Sequence, residues 1–301
     1  MPRSVLCDWG SSHLRAFLDV DGVILDRREG PGIAGLEVPP AVVLREAVEP
    51  WYASGSLDQV VMCGMVGSRN GMVEVPYAAA PTGAENWANR SVAHRAGELD
   101  VTIAPGICGQ NYSGAPEVMR GEETQIFGLF EEQSSLQRGD HLLLLPGTHS
   151  KWVEVSNGSI VRFQTFITGE LFALLRDRSS LLRAGDSGED SDTGFADGLD
   201  RGSRTGVAEA LFETRSAQLL KQRTRGWAGG FLSGVLIGNE VATMLRVGAI
   251  RGAVTVVGEP SLSTLYRQAL AKNAVEATQF DGDLCAIAGL RLLAIRSKRV
   301  N

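Results

Sequence analysis

The chain has little of what many functions require. Its four cysteines, Cys7, Cys63, Cys108 and Cys285, are far apart and form no Cys-x-x-Cys pair, so they read as reduced, mostly buried thiols of a cytosolic protein. The four histidines, His13, His94, His141 and His149, show no His-x-His or His-Glu-x-x-His spacing, and no structural zinc is expected. Lysine and arginine form no block, and the formal net charge is −6, so the basic face of a nucleic-acid binder is missing. The opening MPRSVLCDWG has no apolar stretch of signal-peptide length, and no run approaches ~18 apolar residues. Neither secretion nor membrane contact is expected. The P-loop signature Gly-x-x-x-x-Gly-Lys-Ser/Thr is absent.

What is present is ordinary globular material: 301 residues, 44% hydrophobic and 21% charged, enough for about two domains of roughly 150 residues. Val5 to Cys7 reads as a short buried strand, and Arg15–Val20 and Val23–Arg28 read as a hairpin closed by an Asp-Gly turn. A helix is expected over Pro40–Ala53, with proline in its first turn. QVVMCGMVGS and DVTIAPGI read as buried strands running into loops. RGEETQIFGLFEEQ is an amphipathic helix with acids at its start. HLLLLPGTHSKWVEVSNGSIVRFQTF then repeats the opening plan of strand, turn and hairpin, which implies an internal structural duplication. Helices follow over Thr168–Arg178, Val207–Arg223 and Gly229–Leu245, then a strand over Ala253–Val257 and helices over Leu262–Lys272 and Asp283–Lys298. The Gly-, Ser- and Asp-rich stretch Arg183–Gly206 reads as a long surface loop or lid.

The two strand–turn–hairpin units carry the chemistry. Gly10-Ser11-Ser12 and Gly147-Thr148-His149-Ser150 each offer backbone N–H groups and hydroxyls with no bulky side chain in the way, which is what phosphate oxygens need. Asp8, just ahead of the first turn, is placed to hold Mg²⁺ through water, since magnesium prefers few carboxylates and keeps its waters.

The blocks DWGSSHLRAF, CGMVGSR, VMRGEETQIFG, LPGTHSKW, TGELFALL and LSGVLIGNE resemble, in order, those of the 2-keto-3-deoxygalactonate kinases, and VVGEPSLSTLYRQAL and AIAGL extend the likeness over nearly the whole chain. That family is part of the actin/hexokinase/Hsp70 superfamily. The resemblance implies an α/β, two-lobed actin-like ATPase (ribonuclease H-like) fold, each lobe a mixed sheet with helices, and an active-site cleft between lobes. It implies an N-terminal lobe over residues 1–138, with the first phosphate turn and the sugar-acid site. The C-terminal lobe, over residues 139–301, would hold the second phosphate turn and the adenine site. It implies ATP-dependent phosphorylation of the C6 hydroxyl of 2-keto-3-deoxy-D-galactonate, with ATP and Mg²⁺ as cofactors and a sugar acid as the other partner. Oligomeric state stays open, a homodimer included.

Site roles follow from the same likeness. Glu122 stands where the superfamily's sugar kinases carry a general base at a helix start, and Glu123 is its alternative. Gly147, Thr148 and Lys151 would meet the transferred phosphoryl group, and Gly10, Ser11 and Ser12 the β- and γ-phosphates. Gly258 resembles the glycine turn under adenine. An arginine fork for the substrate carboxylate points to Arg69, with Arg120 as the second candidate.

Two other readings compete. FLDVDG looks like a haloacid-dehalogenase-type phosphatase loop with Asp19 and Asp21 in the active roles, and GDSGED (residues 185–190) matches the Asp-x-x-x-Asp such enzymes use for Mg²⁺. Both stretches lie in the wrong setting, a hairpin and a polar loop. The other alternative is a non-catalytic sensor of ATP and a sugar acid on the same fold, against which the presence of both Asp8 and Glu122 argues.

Overall fold

The computed structural model describes residues 3–297. From the N-terminus, β1 (Arg3–Trp9), β2 (His13–Val20) and β3 (Val23–Pro31) precede α1 (Pro40–Ala53) and β4 (Gln59–Gly64). Short strands β5 (Ala78–Ala79) and β6 (Thr82–Gly83) lead through α2 (Ala84–Ala88) to β7 (Val92–Ala96), β8 (Leu99–Ile103), β9 (Ile107–Gln110) and β10 (Pro116–Met119). Helix α3 (Glu122–Glu132) is followed by β11 (Asp140–Leu145), β12 (Ser150–Ser156) and β13 (Ser159–Phe166). The rest is mainly helical: α4 (Thr168–Arg178), α5 (Ser191–Arg204), α6 (Val207–Lys221), α7 (Arg225–Arg246), β14 (Val254–Gly258), α8 (Pro260–Lys272), β15 (Ala277–Asp281) and α9 (Gly282–Ser297). The last residue of the helix expected over Asp283–Lys298 lies outside the described residues.

Two six-stranded sheets have the same core order. In the first, β3-β2-β1-β4-β8-β7, the strands β1, β4 and β8 run parallel and β2 and β3 fold back antiparallel. In the second, β15-β14-β11-β12-β13-β6, strand β11 takes the place of β1 and the hairpin β12–β13 that of β2–β3. The expected duplication is therefore one of topology. A three-stranded sheet, β10-β9-β5, completes the strands.

The chain divides into two compact units. The first holds residues up to His141, the hairpin tip Val153–Phe163 and the chain from Phe280 on; the second holds Leu142–Trp152 and Gln164–Gln279. This differs from the expected division at 138/139, because α9 packs in the first unit. A Cβ on Gly128 of α3 would lie 1.9 Å from Cys285 O, and one on Gly289 of α9 would lie 2.0 Å from Thr124 O. Only glycine permits helix backbones that close. In the first unit Val5, Cys7 and Trp9 of β1 share a core with Leu44, Val48 and Trp51 of α1. Alternate residues Leu6 and Asp8 face the other side of the sheet.

The stretch Arg183–Gly206 is not a loop throughout: residues 191–204 form α5. Its glycines recur every fourth residue and so line one helix face. That face lies against the glycines of α7: a Cβ on Gly198 would sit 2.2 Å from Phe231 O, and one on Gly234 would sit 2.3 Å from Phe195 O. Composition alone reads as polar punctuation; the partner helix turns it into a packing surface. Helix α7 holds no run of ~18 apolar residues, yet by length and composition it could cross a membrane, and 61% of its most apolar part is buried inside the protein. It supplies Trp227, Phe231 and Val235 to a core shared with Ala210 of α6.

Candidate functional site

The sequence-predicted residues fall into two groups, one in each unit. In the first unit, strand register brings Arg15 of β2 and Cys63 of β4 directly beside Asp8 on β1. Asp8 is 8% exposed. Its Oδ2 accepts a hydrogen bond from Arg15 Nη2, and its Oδ1 accepts one from the Cys63 thiol at 3.7 Å. Burial holds the Asp8 carboxyl above its usual range, and the Arg15 guanidinium offsets only part of that rise. Arg15 also donates through Nη1 to Asp283 of α9, which pairs with Arg27 at 3.0 Å. The sequence reading missed Arg15 and Asp283. The hairpin register could have revealed the first; nothing local marks the second.

The first turn is held from behind. The carbonyls of Gly10, Ser11 and Ser12 accept from the amides of Ile33, Ala34 and Gly32 at 3.1, 3.1 and 3.0 Å, and Ser11 and Ser12 stand exposed. Residues 30–35, which begin in the last two residues of β3, carry Gly-x-Gly-x-x-Gly spacing, but their place is this brace at the end of an antiparallel edge strand, not the strand-to-helix turn of a βαβ unit.

Gly64, at the end of β4, joins this turn to α3. Its φ is +88°, and a Cβ there would lie 2.6 Å from Trp9 O and 3.4 Å from Asp8 Oδ1. Gly121, φ +116°, approaches the Gly64 Cα to 3.3 Å in the same sense. The start of α3 is thereby brought to Asp8. Glu122 is half-buried, and its Oε2 accepts from the Arg120 amide at 3.0 Å. Glu123 is fully buried, and both its oxygens accept from the Gly121 amide, at 2.9 and 2.8 Å. Burial, then the neighbouring Glu122 charge, push the Glu123 carboxyl up to about 8.

The two arginines differ sharply. The Arg69 side chain is 84% exposed and makes a loose pair with Glu74 at 3.6 Å. Arg120 lies 4.3 Å over the Tyr77 ring and donates from Nη2 to Val75 O at 2.8 Å, while its Nε and Nη1 are buried without a partner. Ser68 Oγ is likewise buried and unpartnered. Gly67 precedes it in sequence, and a Cβ there would sit 3.0 Å from Arg120 Nη1.

In the second unit, Thr148 and His149 are exposed on the turn that links β11 to β12, while Ser150 is buried. Helix α4 braces this turn. A Cβ on Gly169 would lie 2.3 Å from Gly147 O, the Glu170 amide donates to Thr148 O at 2.9 Å, and the His149 ring pairs with the Glu170 carboxylate at 2.5 Å. Lys151 is 3% exposed, so it is no solvated hairpin charge. Gly258 is buried under Pro146, which a Cβ there would meet at 3.4 Å. A cavity of about 300 Å³ opens beside the turn; Gly147, Thr168, Phe172, Phe195, Ser233 and Tyr266 are among the residues on its wall, which does not include Gly258.

The phosphatase residues have other tasks. Asp19 lies within the β2–β3 hairpin and pairs with Arg291 of α9 at 2.8 and 3.2 Å. Asp21 and Gly22 have φ of 52° and 82°, the two-residue turn that a hairpin prefers. Asp190 accepts from the Trp227 amide at 3.1 Å and from the Thr224 hydroxyl, capping α7. Among the described residues no cluster of three or more His, Cys, Asp or Glu could hold a metal ion.

The model of the 2-keto-3-deoxy-galactonokinase family matches residues 8–293. A 2-dehydro-3-deoxygalactonokinase of Escherichia coli K12 is 36% identical over 295 residues, 97% of each chain. A crystal structure from Sinorhizobium meliloti, described as a candidate 2-dehydro-3-deoxygalactonokinase, superposes with TM-score 0.84 at 32% identity over 98% of both chains. The activator of the 2-hydroxyisocaproyl-CoA dehydratase of Clostridium difficile shares the fold, with TM-score 0.52 at 11% identity over 99% of this chain and 97% of its own.

Proposed function

Because the chain belongs to the 2-keto-3-deoxy-galactonokinase family, we propose that it transfers the γ-phosphoryl group of ATP to the C6 hydroxyl of 2-dehydro-3-deoxy-D-galactonate. The products are 2-dehydro-3-deoxy-6-phospho-D-galactonate and ADP. The observation that carries this reading is the end-to-end likeness to a named kinase, 36% identical over 97% of each chain. The gathering of Asp8, the first turn and the α3 acids in one place supports it.

In this reading Glu122 takes the proton from the C6 hydroxyl as the O–P bond forms. It is the more accessible of the two acids, and Glu123, buried with its proton, fixes the α3 start through Gly121. Ser11 and Ser12 give the first turn donors suited to phosphate oxygens, and in the second unit the turn of Gly147 and Thr148 has the same character, with Lys151 adding positive charge beside it. The 300 Å³ cavity beside Gly147 suits the adenosine part of ATP, with Phe172, Phe195 and Tyr266 as apolar and aromatic walls. Asp8 fits a Mg²⁺ that keeps its waters, because it offers a single carboxylate just ahead of the phosphate turn. A bound Mg²⁺ would neutralise phosphate charge.

The substrate carboxylate falls to Arg120 in preference to Arg69. Arg120 is fixed by Tyr77 and Val75 with two nitrogens unpartnered, and Ser68 adds a third unpartnered group close in sequence to Gly67. A charged, planar donor pre-set in this way is what carboxylate recognition requires. The test is a coupled ATP assay across a panel of 2-keto-3-deoxy sugar acids. The proposal requires turnover with the galactonate derivative. ATP binding with no turnover of any acid would replace it by the sensor reading.

A further inference from the structure

Helix α7 carries a buried acid to which the chemistry above gives no task. Glu240 is 1% exposed, and four side chains donate to it. Oε1 accepts from the Ser150 hydroxyl and the Trp152 indole N–H, both at 2.7 Å. Oε2 accepts from the Tyr266 hydroxyl at 2.8 Å and from the Thr168 hydroxyl. The donors come from three elements: the start of β12, the first residue of α4, and α8. Ser150 closes the second turn, Thr168 precedes the Gly169 that touches Gly147, and Thr168 and Tyr266 line the 300 Å³ cavity.

We propose that Glu240 is a positioning residue for the nucleotide, fixing the second phosphate turn and the cavity wall against α7 at once. The inference rests on the reading of that turn and cavity as the ATP half of the site. A buried carboxylate is a costly way to gain stability, since apolar side chains of similar volume commonly do as well. What it supplies here is geometry: each carboxylate oxygen holds two donors, so four groups from three elements are placed from one point. Phosphoryl transfer is sensitive to such placement, because small shifts of bound groups lower the rate steeply.

The experiment uses the full-length chain with Glu240→Gln, and Tyr266→Phe as a milder second variant. Glutamine keeps the size, and its oxygen can still accept from Trp152, but its NH₂ group meets the hydroxyls of Thr168 and Tyr266, which then have to turn. Calorimetric affinity for ATP is expected to fall by about fivefold or more, and kcat to fall with it. Affinity for the sugar acid should stay near native. Tyr266→Phe should move the same quantities the same way by less, which keeps the test readable if Glu240→Gln does not fold. Native ATP affinity and kcat in both variants overturn the inference alone. So does equal loss of ATP and sugar-acid affinity, which marks general loosening. Wild-type protein that binds no ATP overturns the half-site reading and the inference with it.

Discussion

Asp8 and Asp19 are both buried, both paired with arginine, and lie on the neighbouring strands β1 and β2, where Asp19 stands opposite Ser4 and Asp8 opposite Arg15. Their surroundings give them different consequences. Asp8 sits behind an exposed hydroxyl-bearing turn, and Arg15 retains Asp283 as a second partner. Asp8→Asn should therefore abolish most turnover with little change in melting temperature. Asp19→Asn breaks a bidentate pair and should cost about 1.5–3 kcal/mol of stability while activity stays within about a few-fold. The opposite pattern, an inactive Asp19→Asn beside an active Asp8→Asn, would sink the kinase roles given to this segment. The α3 acids separate in the same way. Glu122→Gln should bind both substrates and lose roughly 10²–10⁴-fold in kcat, and Glu123→Gln much less. Glu123 has its own signature in stability. Its folded pKa of about 8 lies above the ordinary 4.5, so the folded state holds a proton that the unfolded state releases. The stability it contributes is full below about pH 4.5 and is lost as pH rises through about 8. Denaturant midpoints from about pH 5 to about pH 8.5 should decline in the native chain and flatten in Glu123→Gln. For the carboxylate, Arg120→Ala should raise KM for the sugar acid about 10- to 150-fold and leave KM for ATP nearly unchanged. Arg69→Ala, at an exposed position, should do little, and the reverse ranking would move the role to Arg69.

Helix pairs in both units meet through glycine, and this is where local composition misleads. A run with glycine at 194, 198 and 202 predicts a loop when read alone, because each helical glycine costs about 1 kcal/mol relative to alanine. Close backbone contact with α7 offsets that cost. Gly198→Ala would place a methyl group 2.2 Å from Phe231 O. It should lower stability by about 1–3 kcal/mol despite its better helix propensity. Gly252→Ala, where a Cβ meets nothing within 4 Å, should be near neutral. Thermal unfolding of both variants checks the contrast; an equally stable Gly198→Ala would mean that α5 and α7 do not pack this closely.

The first unit is built from both ends of the chain, which no division at a single point describes. Helix α9 buries Cys285, Leu290 and Leu293, and supplies Asp283 to Arg15 and Arg291 to Asp19. Ending the chain at Asp281 should leave a first unit without its α3 partner. The product is expected to be largely insoluble, or expanded by size-exclusion chromatography with weakened near-ultraviolet circular dichroism. A compact, ATP-binding truncated protein would show α9 to be dispensable.

Much was legible in the amino-acid order. The two hairpins follow from alternation and from Asp21-Gly22 and Asn157-Gly158, the amphipathic α3 from its period, and the family from ordered blocks such as PGTHSKW and MRGEETQ. These features depend on neighbours within about a dozen residues, so a local pattern is enough to reveal them. Other features depend on residues far apart in the chain. Arg15 beside Asp8 and Cys63 is a matter of strand register, α5 of the glycines on α7, and the home of α9 of its contact with α3. The unpartnered nitrogens of Arg120 and the four donors around Glu240 likewise appear only when distant segments meet. Periodicity specifies which face of an element is apolar; which other element covers that face, and which polar groups are buried with it, is decided by packing in three dimensions.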